Sequence, residues 1–271
     1  EESDASTQPF FLYLPLTSPH YPVCPLPEFH GKGDCGGYGE FVIETDHHVG
    51  RILRFLDESG VSDETLIVFT SDNGPENSWK GRIDEFGHRS NHIYREGKRS
   101  VYEGGHRVPF FVRWPAGIVD PGRKWDGPVG QVDLLATLAE IVGSKIGSAD
   151  AVDSHSFASV LRSGDSDHVR APLINHAANG RFSITEGTWK LVLPHKKLGA
   201  ELYDLAQDPG ESHSVAAEHS DLAKRLTESA TEIVVRGRTT DGPGQSNDTG
   251  YWDSLTWISQ QAYDAAQTKK P

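Results

Sequence analysis

The stretch Leu66-Ile67-Val68-Phe69-Thr70-Ser71-Asp72-Asn73-Gly74 decides the fold. Its apolar beginning is a continuous run, which is typical of a strand buried on both faces of a parallel sheet. A helical pattern over residues 38–59 precedes it and ends at Gly60, and residues 10–14 form an earlier aromatic-rich run that also predicts a buried strand. Strand, helix and strand in succession predict a βαβ unit, and therefore an α/β domain with a mostly parallel sheet and flanking helices.

The texture of the sequence changes near residue 170. Before it, we predict a strand at 108–114 and a helix at 131–142, with a long polar loop at 74–107. Because long loops without secondary structure are uncommon unless they are functional, the loop is a candidate site region. We predict that residues 1–165 belong to the α/β domain and that 166–271 form a small α+β domain.

The small domain is predicted as an antiparallel meander followed by one helix. Its strands are expected at 173–176, 181–186, 189–193 and 201–203 and its helix at 222–235. Residues 237–250 are rich in Gly, Thr and Asp and are expected to form a mobile linker. The aromatic segment 251–263 is expected to dock back on the body.

Composition excludes several function classes. The formal net charge is −13, so we expect no nucleic acid partner, because such a surface repels phosphate backbones. No apolar run reaches the length of a membrane span, no secretory signal is visible, and we expect no membrane partner. The cysteines Cys24 and Cys35 could form one disulfide in an oxidising compartment or remain unpaired. The chain contains no Met and begins with Glu1, so we expect further residues upstream.

The end of the deciding strand carries the first candidate ligands. Asp72 offers a carboxylate and Asn73 a carbonyl oxygen, both hard ligands that suit Ca²⁺ or Mg²⁺. Gly74 would allow the bend that lets neighbouring side chains reach one ion. Asp-Asn-Gly is also a common turn sequence, so an Asx-turn is the competing interpretation.

Two further side chains could act on an anionic substrate. His20 follows the first predicted strand in a Pro-flanked loop, where an imidazole could hold an anion or protonate a leaving oxygen. Lys98, in Glu-Gly-Lys-Arg, could contact an anion as a point charge. Taken singly, each residue is better explained as a solvated surface side chain.

The joint order of these segments resembles the formylglycine-dependent sulfatases, closest to the arylsulfatase A-like group of the alkaline-phosphatase-like superfamily. The matching segments are Pro-His-Tyr-Pro at 19–22, Asp-Asn-Gly-Pro-Glu at 72–76, Gly-Lys at 97–98, Tyr-Glu-Gly-Gly-His-Arg-Val-Pro at 102–109, Gln-Val-Asp-Leu at 131–134 and Leu-Tyr-Asp-Leu at 202–205. The resemblance covers about residues 8–235. It implies an alkaline-phosphatase-like sandwich, here incomplete, and hydrolysis of sulfate esters.

The resemblance also implies roles for individual residues. Asp72 and Asn73 correspond to metal ligands, so Ca²⁺ is the implied cofactor. His20 and Lys98 correspond to catalytic and substrate-binding contacts to the sulfate ester. The implied substrate is a sulfated carbohydrate or an aryl sulfate, and the implied location is periplasmic, secreted or lysosomal.

The departures from the family pattern concern the nucleophile. Family members carry an acidic pair for the metal and a Cys-x-Pro-x-Arg signature whose Cys becomes formylglycine, and neither is present in the sequence. We therefore expect both in an N-terminal half that would complete the domain, and we expect this chain alone to be inactive and to bind Ca²⁺ weakly. The alternatives are a degenerate homologue that binds sulfated glycans without turnover, and a phosphodiesterase or phosphonate ester hydrolase of the same superfamily.

Overall fold

The computed structural model describes residues 8–267, which fall into two compact units. Of the described residues, the first unit comprises 8–70, Glu76–Ser90 and Pro109–Gly117, and the second comprises Ser71–Pro75, Asn91–Val108 and 118–267. The predicted domain boundary near residue 165 stays a prediction.

The first unit is built on one long helix and two short strands. Its helices are α1 (Gly36–Glu58) and α2 (Trp79–Phe86), and its strands are β1 (Ile67–Thr70) and β2 (Phe110–Arg113). Helix α1 ends where predicted, because Gly60 adopts a left-handed φ of 69° and its N–H closes on the carbonyl of Asp57 at 3.1 Å.

The strands of the first unit correct the predicted sheet. β1 and β2 pair antiparallel, with Ile67 opposite Arg113 and Thr70 opposite Phe110, whereas the sequence predicted a mostly parallel sheet. Within residues 8–267 no strand forms at residues 10–14, where Phe11 is 83% exposed and Tyr13 78%. An apolar run forms a buried strand only where neighbouring strands take up its backbone N–H and C=O groups, and no described strand pairs with this one.

The predicted long loop is also shorter than expected. It contains α2 and the one-turn helix α3 (Glu103–His106), which belongs to the second unit. Helix α2 carries Trp79 and Arg82 as its buried residues and ends at Gly87 in the left-handed region. A single turn such as α3 is too short to be recognised from periodicity.

The second unit contains the predicted antiparallel meander. The strands are β3 (Leu173–His176), β4 (Phe182–Glu186), β5 (Trp189–Val192) and β6 (Glu201–Asp204), and the sheet order is β3-β4-β5-β6. The helices are α4 (Leu134–Val142), α5 (Ala158–Ser163), α6 (Ser220–Arg236) and α7 (Gln260–Gln267). The four strands and α6 confirm the prediction to within two residues at each end.

The core of the second unit lies between its sheet and the C-terminal helices. Ile184, Leu191 and Leu202 come from three adjacent strands and are fully buried together with Leu226 and Ala230 of α6. The two α6 positions lie one turn apart and therefore share a face of the helix. The aromatic tail packs on the same cluster, as expected from the sequence.

The segment expected to be a mobile linker is held by many hydrogen bonds. Arg238 is 2% exposed, and its guanidinium donates to the carbonyl oxygens of Ser148 and Pro243, both at 2.9 Å. It also donates to the carbonyls of Thr240 and Asp241. A buried Arg saturated by carbonyl oxygens organises a loop that contributes little apolar surface. Within residues 8–267, no helix has both the length and the apolar character needed to cross a membrane.

Candidate functional site

The metal-ligand candidates lie in a tight turn that follows β1 in the chain. Asp72 is exposed and Asn73 is half-buried. The side-chain amide of Asn73 donates from Nδ2 to the Gly74 carbonyl at 2.9 Å, and Ser71 Oγ donates to the Asn73 carbonyl at 3.2 Å. The chain bends at these residues, but the described hydrogen bond uses the amide nitrogen of Asn73 as donor, whereas an Asx-turn would use a side-chain oxygen as acceptor. The amide oxygen and the Asp72 carboxylate keep their capacity to bind a cation.

Hydrogen bonds from two other segments hold this turn. Gly74 N–H donates to the Gly105 carbonyl of α3 at 3.0 Å. Gln131, which begins a 3₁₀ turn before α4, donates from Nε2 to the Ser71 carbonyl. The backbone of the turn is thus held at both ends, at the Ser71 carbonyl by a side chain and at the Gly74 N–H by a backbone carbonyl.

Three glycines allow the turn and α3 to approach each other. A Cβ built on Gly74 would lie 1.7 Å from the Gly104 carbonyl oxygen, and one on Gly104 would lie 2.2 Å from the carbonyl oxygen of Glu96. A Cβ on Gly105 would lie 2.3 Å from the carbonyl oxygen of Ser100. No side chain fits at these distances, so the glycines of both motifs are required by backbone packing.

Lys98 lies in the segment that α3 packs against. Its N–H donates to the Pro75 carbonyl at 2.8 Å, so its backbone is joined directly to the end of the Asp72 turn. The flanking residues Glu96 and Arg99 adopt left-handed φ values of 60° and 75°. Left-handed backbone is costly for residues other than glycine and tends to occur at functional positions.

The structure places the four predicted site residues in two groups. Asp72, Asn73 and Lys98 belong to the second unit and are brought together by backbone hydrogen bonds. His20 belongs to the first unit, where it is exposed and donates from Nδ1 to the Tyr21 carbonyl at 2.8 Å.

A buried ion pair supports the Gln131 turn. Arg170 donates to both carboxylate oxygens of Asp133, from Nε at 2.7 Å and from Nη2 at 2.8 Å, and the two side chains are 2% and 1% exposed. Asp133 also accepts from the N–H of Gly130 at 2.7 Å. The Gln-Val-Asp motif therefore combines one residue that contacts the site turn with one that fixes its own backbone.

The structure also shows buried charges that we did not predict. Lys190 on β5 is 2% exposed and contacts Glu103 of α3 and Glu211, the residue after the Asp-Pro-Gly sequence at 208–210. Burial opposes ionisation of Glu103, but the Lys190 ammonium outweighs it and holds the pKa of that carboxyl below its usual value. Burial, followed by the charge of Lys190, lowers the pKa of His106 to about 4. The sequence signal was a lysine within the otherwise apolar strand Trp-Lys-Leu-Val.

Asp72 and Asn73 could supply part of the ligand set of a divalent cation. Among residues 8–267, no group of three or more His, Cys, Asp or Glu side chains could hold a metal ion. Asp72 and Asn73 supply oxygen donors of the right kind, but Ca²⁺ takes six to eight oxygens. Neither cysteine fits the formylglycine position: Cys24 is exposed, Cys35 is half-buried, both are unpaired, and the Pro and Arg of the signature do not follow them.

Family comparison decides the identity of the fold. The Sulfatase family model matches residues 1–144, and the model described as N-sulphoglucosamine sulphohydrolase, C-terminal, matches residues 92–235. The chain belongs to the sulfatase family. The family prediction and the alkaline-phosphatase-like fold class are thereby confirmed, and the relatives named below are sulfuric ester hydrolases.

This sulfatase chain is similar to several individual sulfatases over most of its length. It is 33% identical to an N-acetylgalactosamine-6-O-sulfatase of Bacteroides thetaiotaomicron over 84% of this chain and 48% of that protein. It is 29% identical to human arylsulfatase A over 79% of this chain and 46% of that protein. The solved BT33336S-sulf of Bacteroides thetaiotaomicron, from work on the metabolism of multiple glycosaminoglycans, superposes with a TM-score of 0.76 at 32% identity, covering 84% of this chain and 51% of that one. The chain therefore spans about half the length of these relatives.

Proposed function

We propose that this chain is the C-terminal half of a metal-dependent sulfatase that hydrolyses sulfate esters of carbohydrates. The observation that carries the proposal is the turn of Asp72 and Asn73, whose oxygens remain available while its backbone is bonded to the Lys98 segment. Sulfate transfer depends mainly on placing positive charge around developing negative charge. The ammonium of Lys98 would supply one positive charge, and the Asp72 carboxylate and Asn73 amide oxygen would hold a cation that supplies another.

Asp72 and Asn73 are proposed to supply two oxygen ligands to Ca²⁺, with Mg²⁺ as the second choice. A divalent cation bound there would stabilise negative charge on a sulfate oxygen. Because two ligands cannot complete the coordination shell, we expect the remaining acidic ligands to come from sequence outside this chain.

Lys98 and His20 are proposed to contact the sulfate ester. The ammonium of Lys98 would pair with a sulfate oxygen, and its backbone is fixed by the bond to Pro75. The role of His20, protonation of the leaving oxygen, rests on the family resemblance alone. No residue of this chain fits the position of the formylglycine.

The substrate class is inferred from the relatives. The N-acetylgalactosamine-6-O-sulfatase is 33% identical, and a solved protein in complex with a neocarrahexaose is 25% identical over 79% of this chain with a TM-score of 0.68. Both names refer to carbohydrates, so we propose a sulfated carbohydrate over an aryl sulfate. We also propose that the protein acts outside the cytosol, in the periplasm, a lysosome or the secreted fraction.

The other half of the domain is the proposed partner of this chain. The exposed aromatic run at residues 10–14 offers apolar surface that such a half would cover. We expect the 271-residue chain alone to be catalytically inactive, to bind Ca²⁺ weakly and to self-associate through such surfaces. A monomeric chain that releases sulfate by itself would contradict this part of the proposal.

The proposal is tested by reading the coding sequence upstream of Glu1 and assaying the complete protein. We expect an acidic pair and Cys- or Ser-x-Pro-x-Arg upstream, and calcium-dependent sulfate release from 6-sulfated N-acetylgalactosamine. Asp72→Asn should weaken Ca²⁺ binding, so that sulfate release requires a higher Ca²⁺ concentration. Lys98→Met should lower kcat/KM by about 10²-fold, the scale of one lost oxyanion contact. Lys224→Met, an exposed position on α6, is the matched control and should leave both unchanged.

A second candidate is favoured by one structural relative. The phosphonate monoester hydrolase of Silicibacter pomeroyi is 25% identical over 76% of this chain, with a TM-score of 0.54. A phosphonate monoester is therefore assayed in parallel. Faster turnover of the phosphonate than of any sulfate ester would replace the sulfatase proposal, and binding of sulfated carbohydrate without turnover by either route would favour the degenerate homologue.

A further inference from the structure

Lys190 stands out because a buried ammonium is held between the buried carboxylate of Glu211 and the largely buried carboxylate of Glu103. Its Nζ lies 2.8 Å from Glu103 Oε1 and 2.9 Å from Glu211 Oε1, and Lys190 and Glu211 are 2% and 0% exposed. Removing three charges from water is costly, and an apolar trio of similar volume would often be at least as stable. Stability alone is therefore a poor reason for these residues to be placed here.

The charged trio continues directly into the backbone around Lys98. Glu211 accepts a hydrogen bond at Oε2 from the N–H of Glu103 at 2.6 Å, which fixes the start of α3. The next two residues of α3 hold the site: Gly104 N–H donates to the Arg95 carbonyl at 2.9 Å, and the Gly105 carbonyl accepts from Gly74 at 3.0 Å. One end of this contact chain is thus the small antiparallel sheet, and the other end is the Asp72 turn.

The neighbouring strand β6 holds the same segment at two further points. Tyr102 donates from its hydroxyl to the Glu201 carboxylate at 3.0 Å. Arg95 donates to the hydroxyl of Tyr203 at 2.9 Å and to Glu201 at 3.2 Å, and its guanidinium stacks 3.7 Å from the centre of the Tyr102 ring. Positions 95 and 102 bracket Lys98, so both ends of its segment are attached to the sheet.

The Lys98 segment needs such external support because its own backbone is strained. His92, Glu96 and Arg99 all adopt left-handed φ values, of 51°, 60° and 75°. Each such residue prefers another conformation when left to itself, so surrounding contacts must impose the observed one. For residues 95–105, the contacts with strands β5 and β6 supply this support.

We propose that Lys190 is a positioning residue for the site. Its ammonium draws Glu103 and Glu211 together and so holds α3, and through α3 it sets the Lys98 segment against the Asp72 turn. The catalytic part of this inference rests on the proposed function, because it assumes that Lys98 contacts the sulfate group. The mechanical part does not, because it concerns only how the two segments are held.

The mechanical part is tested by hydrogen exchange on the complete protein. In Lys190→Met, the amides of Gly74, Lys98 and Gly104 should exchange at least about tenfold faster, while those of Ile184 and Leu191 in the sheet should keep their protection. Arg225→Met removes an exposed ion pair with Glu186 on the same sheet and should change none of these rates. Unchanged exchange at the three site amides, or equal acceleration across the sheet, would overturn the inference.

The catalytic part is tested by kinetics on the complete protein. Lys190→Met should lower kcat by about tenfold or more with KM within about twofold, because Lys98 would be misplaced in the transition state without loss of ground-state binding elsewhere. A fall in active concentration alone, with kcat per folded molecule unchanged, would refute a positioning role. A wild-type protein without sulfatase activity would refute the proposed function and leave the exchange result to decide the mechanical part.

A milder variant covers the case in which Lys190→Met does not fold. Glu103→Gln removes one of the two ion pairs of Lys190 and keeps the hydrogen bond that the backbone N–H of residue 103 donates to Glu211. It should accelerate exchange at the same three amides by a smaller factor. If it leaves these amides unchanged, the inference is wrong.

Discussion

Replacing Gly74 by Ala tests how the site turn is packed. The added Cβ would lie 1.7 Å from the Gly104 carbonyl oxygen, whereas real Cβ contacts are essentially never shorter than 3.0 Å. The two segments must therefore separate by about 1.3 Å, the difference between these distances. That movement would stretch the 3.0 Å hydrogen bond from Gly74 to Gly105 beyond bonding range. Loss of the bond costs about 1 kcal/mol and overpacking about 1–3 kcal/mol, so we expect a total loss of about 2–4 kcal/mol.

The measurement is urea denaturation of Gly74→Ala and of Gly199→Ala, a control in the same unit. Gly199 is exposed, and a Cβ there would meet no described atom within 4 Å. The control should stay within about 1 kcal/mol of the wild type, with a small gain because alanine restricts the unfolded chain. This prediction is wrong if Gly74→Ala unfolds with the wild-type free energy, or if the control loses as much unfolding free energy as Gly74→Ala. In either case the close approach of the two backbones does not explain the glycine at position 74.

Three further outcomes are expected. Arg170→Met should lower the unfolding free energy by about 3–5 kcal/mol because it strands the buried Asp133 carboxylate, and the exposed-pair variant Arg225→Met should lose at most about 1 kcal/mol in the same urea experiment. Burial lowers the pKa of His106 to about 4. The contribution of this residue to stability is therefore complete above an unfolded pKa of about 6.5 and is lost as the pH falls towards 4. Urea midpoints should fall as the pH is lowered across this range, and they should fall less in His106→Asn. Hydrogen bonds from Tyr203 and Arg181 overcome burial and lower the pKa of Glu201, so its contribution is present above about pH 4.5 and is lost below, and Glu201→Gln should flatten the acid limb of the same titration.

Local chemistry explains which parts of the structure were predictable. The meander at 173–204 and helix α6 were predicted to within about two residues, because short strands separated by tight turns and an amphipathic helix encode their form in adjacent residues. The Asp72 turn and Lys98 could be chosen as candidates because the joint order of their motifs resembles that of the sulfatases, although each motif alone also fits an ordinary turn or surface position. Their convergence, by backbone bonds through Pro75 and Gly105, could not be read from either motif alone.

The sequence by itself determined the family, the antiparallel meander and the residue types of the candidate site, since each depends on residues that are close in the chain. The tertiary structure alone decided the antiparallel pairing of β1 with β2, the exposure of residues 10–14 and the burial of Lys190 between Glu103 and Glu211. Strand direction and burial depend on which distant segment supplies the neighbouring hydrogen bonds and charges. A run of apolar residues or a lone lysine carries no record of that neighbour, and so only the folded chain could show it.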